Sequence, residues 1–137
     1  MKNRIFKILA GIVGVYHIML GVSALVLPAE LMTKVIGAAL GVVPVIDEQF
    51  LITAKFAGVY VLVFGLFSLM LASNPLKHRS LVYPILTLFG IRFINKILLF
   101  GSIAAMYDIS TTRNVISVLL VALFFFGLLL TMPKKNN

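Results

Sequence analysis

The chain has no cysteine. That absence removes disulfide frameworks, thiolate metal sites, haem attachment through CxxCH and dithiol redox chemistry together, and it leaves the redox compartment unreadable. A quinone or epoxide reductase of the vitamin K type is excluded with them, because its cysteine pair is missing. Acidic residues are almost as scarce, with 4 Asp and Glu against 12 Lys and Arg, for a net charge of +8. None of the acids, Glu30, Asp47, Glu48 and Asp108, falls inside a long apolar run. A proton-coupled antiporter of the small multidrug resistance kind, which needs a membrane-embedded glutamate, is therefore ruled out. Histidine is limited to His17 and His78, and only His17 lies in an apolar run. A four-helix cytochrome with paired axial histidines cannot be built from them. No HExxH, GxSxG or Walker loop appears. No cofactor, metal site or catalytic residue is expected; a non-catalytic role is the leading reading, and any enzymatic one rests on analogy.

What is present is apolar. Of 137 residues, 61% are hydrophobic and 12% charged, and the mean hydropathy is +1.13. A soluble domain typically carries about 45–50% apolar and about 25% charged residues, so the excess is read as facing lipid. The basic charges sit at the ends of apolar runs, as membrane topology requires. No solvated basic face with aromatic or amide readers accompanies them, and nucleic acid is not an expected partner.

A hydrocarbon core roughly 30 Å thick needs about 20 apolar residues to cross it as a helix. Four stretches qualify: Ile5 to Leu27, Phe50 to Ser73, Leu81 to Met106 and Val115 to Met132. Pro28, Asn74-Pro75, the segment from Asp108 to Thr112, and Pro133 punctuate them. Backbone amides in lipid must pair within their own segment, so these runs are read as helices of a single all-α domain, an antiparallel four-helix membrane bundle. Lys2, Arg4, Lys7, Lys77, Arg79, Lys134 and Lys135 fall on one side. Lys34 and Arg113 fall on the other, together with all four acids. The positive-inside rule then places both termini in the cytoplasm. A signal-peptide reading of the first run, with Val22-Ser23-Ala24 as a weak cleavage site, is disfavoured because the run exceeds the usual apolar region of about 7–15 residues.

The connector from Pro28 to Gln49 is long and apolar. Leu31, Met32, Val35 and Ile36 recur at helical spacing after Glu30, which predicts a short interfacial helix in the first outer loop. It is read as a membrane-hugging connector or as a lid over a ligand entrance, with Gly37 and Gly41 as hinges.

The first two runs share a pattern. Ala10, Gly14-Val15-Tyr16, Gly21 and Leu25 recur at the same spacing as Ala54, Gly58-Val59-Tyr60, Gly65 and Leu69. Small residues four apart let neighbouring backbones approach closely where water cannot drive helices together. Ala10/Gly14 and Ala54/Gly58 are the expected contact faces, and Tyr16 and Tyr60 fall near mid-membrane, where each hydroxyl needs a partner.

The third run carries Arg92, Asn95 and Lys96 within about one turn. Counting from Ser80 at about 1.5 Å per residue, Arg92 lies roughly 18 Å into the bilayer and Lys96 roughly 24 Å. An intramembrane cation costs at least about 2.5–3.5 kcal/mol on insertion scales, so such residues face the interior and find a partner. His17 falls at about the depth of Arg92, and Lys55 adds a third cation in the outer half. Three resolutions are open. The outer acids Asp47, Glu48 and Asp108 fold inward to Lys55 and Lys96, while Arg92 bonds to Tyr16, His17, Tyr60 or freed carbonyls. Alternatively an anionic lipid or small ligand enters the bundle, or a membrane partner subunit supplies an acid. His17 is read as an interior hydrogen-bonding group, with a proton relay as the sharper alternative.

Leu27-Pro28-Ala29-x-Leu31, Ala54-Lys55-Phe56-Ala57-Gly58-Val59-Tyr60 with Gly65, Asn74-Pro75 before a basic loop, and Gly90-x-Arg92 together resemble the DoxX-like group of small bacterial four-helix membrane proteins. The resemblance runs from about Leu20 to Gly101 and implies a fold more than an activity. It implies a multi-pass protein of the bacterial inner membrane, of a group in which some members are accessory subunits of quinone-linked oxidoreductases. Relatives often place an acid before the basic residue that opens the second helix, and Thr53-Ala54-Lys55 lacks it. The expected role is a non-catalytic subunit, or a binder of an anionic lipid or small ligand, through Tyr16, His17, Lys55, Tyr60, Arg92, Asn95 and Lys96. The alternative is an oxidoreductase accessory protein or transporter that uses His17 and Arg92.

Overall fold

The computed structural model describes residues 2–40, 47–106 and 109–133. Gly41, Asp108, Lys134 and Lys135 lie outside the described residues. All regular structure among the described residues is helical.

Helix α1 spans Lys2–Val26. Nothing interrupts its hydrogen-bond ladder until Pro28, whose ring forbids continuation. The same proline opens α2, Ala29–Leu40, where the Met32 N–H donates to the Pro28 carbonyl at 2.9 Å. This is the helix that the connector's periodicity predicts, with Glu30 in its first turn. Helix α3 spans Glu48–Ser73, and the Asp47 carboxylate caps it by accepting from the Phe50 N–H at 2.6 Å. It stops at Asn74-Pro75, where the Asn74 side chain accepts from the Lys77 N–H at 3.1 Å.

The third apolar run is not one helix. A 3₁₀ turn over Arg79–Leu81 leads into α4, Val82–Leu98, and the chain leaves helical geometry at Leu99 before α5, Phe100–Met106. Pro84 is tolerated in α4 because it sits in the first turn, where N–H groups have no helical partner. Helix α6, Thr111–Thr131, is capped by the Ser110 hydroxyl, which accepts from the Arg113 N–H at 3.4 Å. Asn114 is 2% exposed, and its side-chain N–H donates to the Phe100 carbonyl at 2.9 Å. That bond ties the start of α6 to the joint after α4.

Lys2–Val26, Glu48–Ser73, Arg79–Leu98 and Thr111–Thr131 are each long and apolar enough to cross a membrane. Four such segments are those of a multi-pass membrane protein. Helix α1 lies at the centre of the packing, against α3 on one side and α6 on the other, while α4 packs on α6. The core joins Phe6, Ala10 and Val13 of α1 to Leu71 of α3, Val82, Ile85 and Phe89 of α4, and Val121 and Leu128 of α6.

The glycine repeat folds back on itself at the α1–α3 seam. A Cβ on Gly21 would lie 2.7 Å from the Leu62 nitrogen and 2.8 Å from the Gly58 oxygen, and one on Gly14 would lie 2.6 Å from a Leu69 methyl. The second copy of the repeat makes the mirrored contacts, Gly65 with Ile18 and Gly14, and Gly58 with Gly21 and Leu25. Three contacts therefore recur with the copies exchanged, Gly21–Leu62 as Gly65–Ile18, Gly21–Gly58 as Gly65–Gly14, and Gly14–Leu69 as Gly58–Leu25. Close backbone approach is the physical reason for glycine at these four positions, since packing rather than water holds helices together in lipid.

Candidate binding cavity

A cavity of about 400 Å³ opens between α1, α2, α4 and α6. Helix α1 contributes Ile12, Val13, Tyr16 and His17, and α4 contributes Phe89 and Arg92. Helix α6 lays one face along it through Ser117, Leu120, Val121 and Phe124, and Ala38 of α2 closes part of the rim. The walls are thus chiefly apolar. Four polar side chains reach them: a guanidinium, an imidazole, a phenol and an aliphatic hydroxyl.

His17 is 6% exposed. Its Nδ1 lies 2.7 Å from the Val13 carbonyl oxygen. A carbonyl can only accept, so Nδ1 carries a proton, and in the neutral form of the ring the lone pair is on Nε2. Aromatic rings hold the imidazole in place. The centroid of Phe64 lies 4.8 Å away, that of Tyr16 5.2 Å in an edge-on pose, and that of Phe89 6.2 Å. Phe89 continues the series to Phe124 at 6.1 Å. Among the described residues, Arg79 Nε is the sealed side-chain nitrogen or oxygen without a partner. His17 Nε2, which has no described partner, is accordingly not sealed, and the residue lines the cavity.

Arg92 is half-buried in the same wall. Among the described residues no acid pairs with it, nor with Lys55 or Lys96. Asp47 is engaged as the α3 cap, and Glu48 is exposed. Of the seven polar residues singled out in the sequence, the fold brings Tyr16, His17 and Arg92 together. Lys96 is half-buried one turn beyond Arg92, while Asn95, Lys55 and Tyr60 are exposed outside the cavity, Tyr60 at 75%. The sequence did not single out Ser117, Phe89 or Phe124. Ser117 carried a usable signal, as a hydroxyl within an otherwise apolar stretch.

A smaller void of about 270 Å³ beside the α1–α3 seam is lined by Leu20, Ala24, Phe50, Thr53, Ala54, Ala57, Gly58 and Val61. It offers no charge. Among the described residues no group of three or more His, Cys, Asp or Glu is placed to hold a metal ion. The arrangement can bind and orient an amphiphile, anionic at the Arg92 end and apolar against Phe89, Leu120 and Phe124. Comparison with family models, curated proteins and solved structures finds no match to this chain.

Proposed function

We propose that this protein is a non-catalytic binder of an anionic amphiphile, held inside a four-helix bundle of the DoxX-like kind in the bacterial inner membrane. The bundle is antiparallel, with both termini cytoplasmic. Two things support that arrangement: residue numbers fall along α3 as they rise along α1 across the seam, and Lys and Arg concentrate on one side of the spans.

The observation that carries the reading is Arg92, a guanidinium in a largely apolar cavity with no acid to meet it among the described residues. An intramembrane Arg costs at least about 2.5–3.5 kcal/mol without a partner, and a bound anion supplies one. The cavity volume of about 400 Å³ falls in the range of roughly 300–1,000 Å³ usual for small-molecule sites. Ala38 makes α2 a contributor to the cavity rim.

The test is retention of an anionic lipid. The wild type, purified in mild detergent, should keep phosphatidylglycerol through detergent exchange, as read by native mass spectrometry. Arg92→Leu should lose most of it and Arg92→Lys only part. Equal retention by Arg92→Leu would remove the basis of the proposal.

A second reading is favoured by His17 and Arg92 sharing one cavity. An accessory subunit of an oxidoreductase, or a transporter, would use the imidazole to move a proton and the guanidinium to hold an anion. Unchanged quinone-linked turnover or transport in a His17→Ala variant would eliminate it.

A further inference from the structure

The cavity makes a demand on its ligand beyond negative charge. Tyr16 and Ser117 carry hydroxyls, which donate or accept as required. Arg92 only donates. His17 differs from all three, because the Val13 carbonyl 2.7 Å from Nδ1 fixes the ring proton there and leaves Nε2 as an acceptor. No acid among the described residues stands beside the ring to hold it as a second cation next to Arg92. The side chain is 6% exposed, packed by Phe64 and Phe89, so the lone pair cannot swing out to bulk water. An occupant that covers Nε2 with hydrocarbon leaves that acceptor unsatisfied.

We infer that the ligand carries a hydrogen-bond donor as well as an anionic group: it is an amphiphilic hydroxy-acid, with the anion at Arg92, the hydroxyl on His17 Nε2 and the apolar body against Phe89, Leu120 and Phe124. This rests on reading the cavity as an anion site, and it adds the second polar contact and therefore the ligand class. A site built to accept from a hydroxyl discriminates against an analogue that lacks one far more strongly than an apolar wall can discriminate between hydrocarbons. A plain fatty acid meets Arg92 but brings no donor to His17 Nε2.

The experiment uses the full-length protein in detergent and four probes: 3-hydroxydecanoate, decanoate, 3-methoxydecanoate and the methyl ester of 3-hydroxydecanoate. Wild-type protein should bind the hydroxy acid about ten-fold or more tightly than decanoate, a difference of about 1.4 kcal/mol. The methoxy acid can accept but not donate, and it should bind no better than decanoate. The ester should bind weakly for want of charge. This series needs no variant. His17→Phe, which keeps a ring among Phe64 and Phe89, should bring hydroxy acid and decanoate to within about two-fold of each other. Equal binding of the hydroxy and plain acids by the wild type overturns the inference, as does a preference shared by the methoxy acid or one that survives His17→Phe. If decanoate binds in an Arg92-dependent way without any hydroxyl preference, the inference alone is lost. If no acid binds, the anion-site reading falls with it.

Discussion

A Cβ on Gly65 would lie 2.9 Å from the carbonyl oxygen of Gly14 and 2.7 Å from the nitrogen of Ile18, so the backbones of α1 and α3 touch across this pair. Ile18 Cγ1 lies 2.8 Å away as well, but moving that side chain would leave both backbone contacts in place. Gly65→Val and Gly21→Val should each force the helices apart at a cost of about 1–3 kcal/mol, the usual range for overpacking. Gly101, which has nothing within 4 Å of a built Cβ, is the control. Thermal unfolding in detergent should show both seam variants melting well below the wild type and Gly101→Ala melting with it.

Phe6 and Phe50 occupy equivalent places in the glycine repeat but have different surroundings. Phe6 is 0% exposed in the core, whereas Phe50 is half-buried beside the smaller void. Phe6→Ala should cost about 3–5 kcal/mol, as large-to-small core truncations do, and Phe50→Ala clearly less. The same unfolding assay on the two variants measures what cover by α4 and α6 adds to one copy of the repeat.

Asn114→Ala should leave the Phe100 carbonyl without its donor at a cost of about 1–3 kcal/mol. The bond spans 2.9 Å from α6 to the joint after α4, so loosening should be local. Hydrogen–deuterium exchange should rise around Leu99 to Gly101 and stay unchanged in the middle of α1.

Topology is testable directly because the chain has no cysteine of its own. With Lys77→Cys, a membrane-impermeant maleimide should react only when the cytoplasmic face is opened. With Glu48→Cys it should react from outside. Labelling of both from one side would overturn the proposed antiparallel arrangement.

The four spans were legible from run length alone, because hydrocarbon thickness sets how many apolar residues a helix must have. Gly14 and Gly58 of the expected contact faces do lie at the seam, where Gly21 and Gly65 of the same repeat join them. The break at Leu99 was not. Leu98, Leu99 and Phe100 read as continuous hydrocarbon, and what accompanies the break is a donor from Asn114 on a different helix. The meeting of His17 and Arg92 could be anticipated because both lie at similar depth. Which way they point could not, because a helix apolar all round gives its sequence no preferred face. The same ambiguity hid Phe89 and Phe124 among eleven phenylalanines. It also left Lys55 and Tyr60 on a par with Tyr16, although the fold turns them away from the cavity.

The cavity is walled by Ile12 to His17 from the first spanning helix and Ser117 to Phe124 from the last. During synthesis the first of these leaves the ribosome long before the second exists, and until α6 arrives Arg92 has only half an enclosure. Whatever fills that space is therefore a late arrival. Capture of the proposed ligand would have to wait for α6, and a nascent chain stopped short of that helix should be unable to hold it.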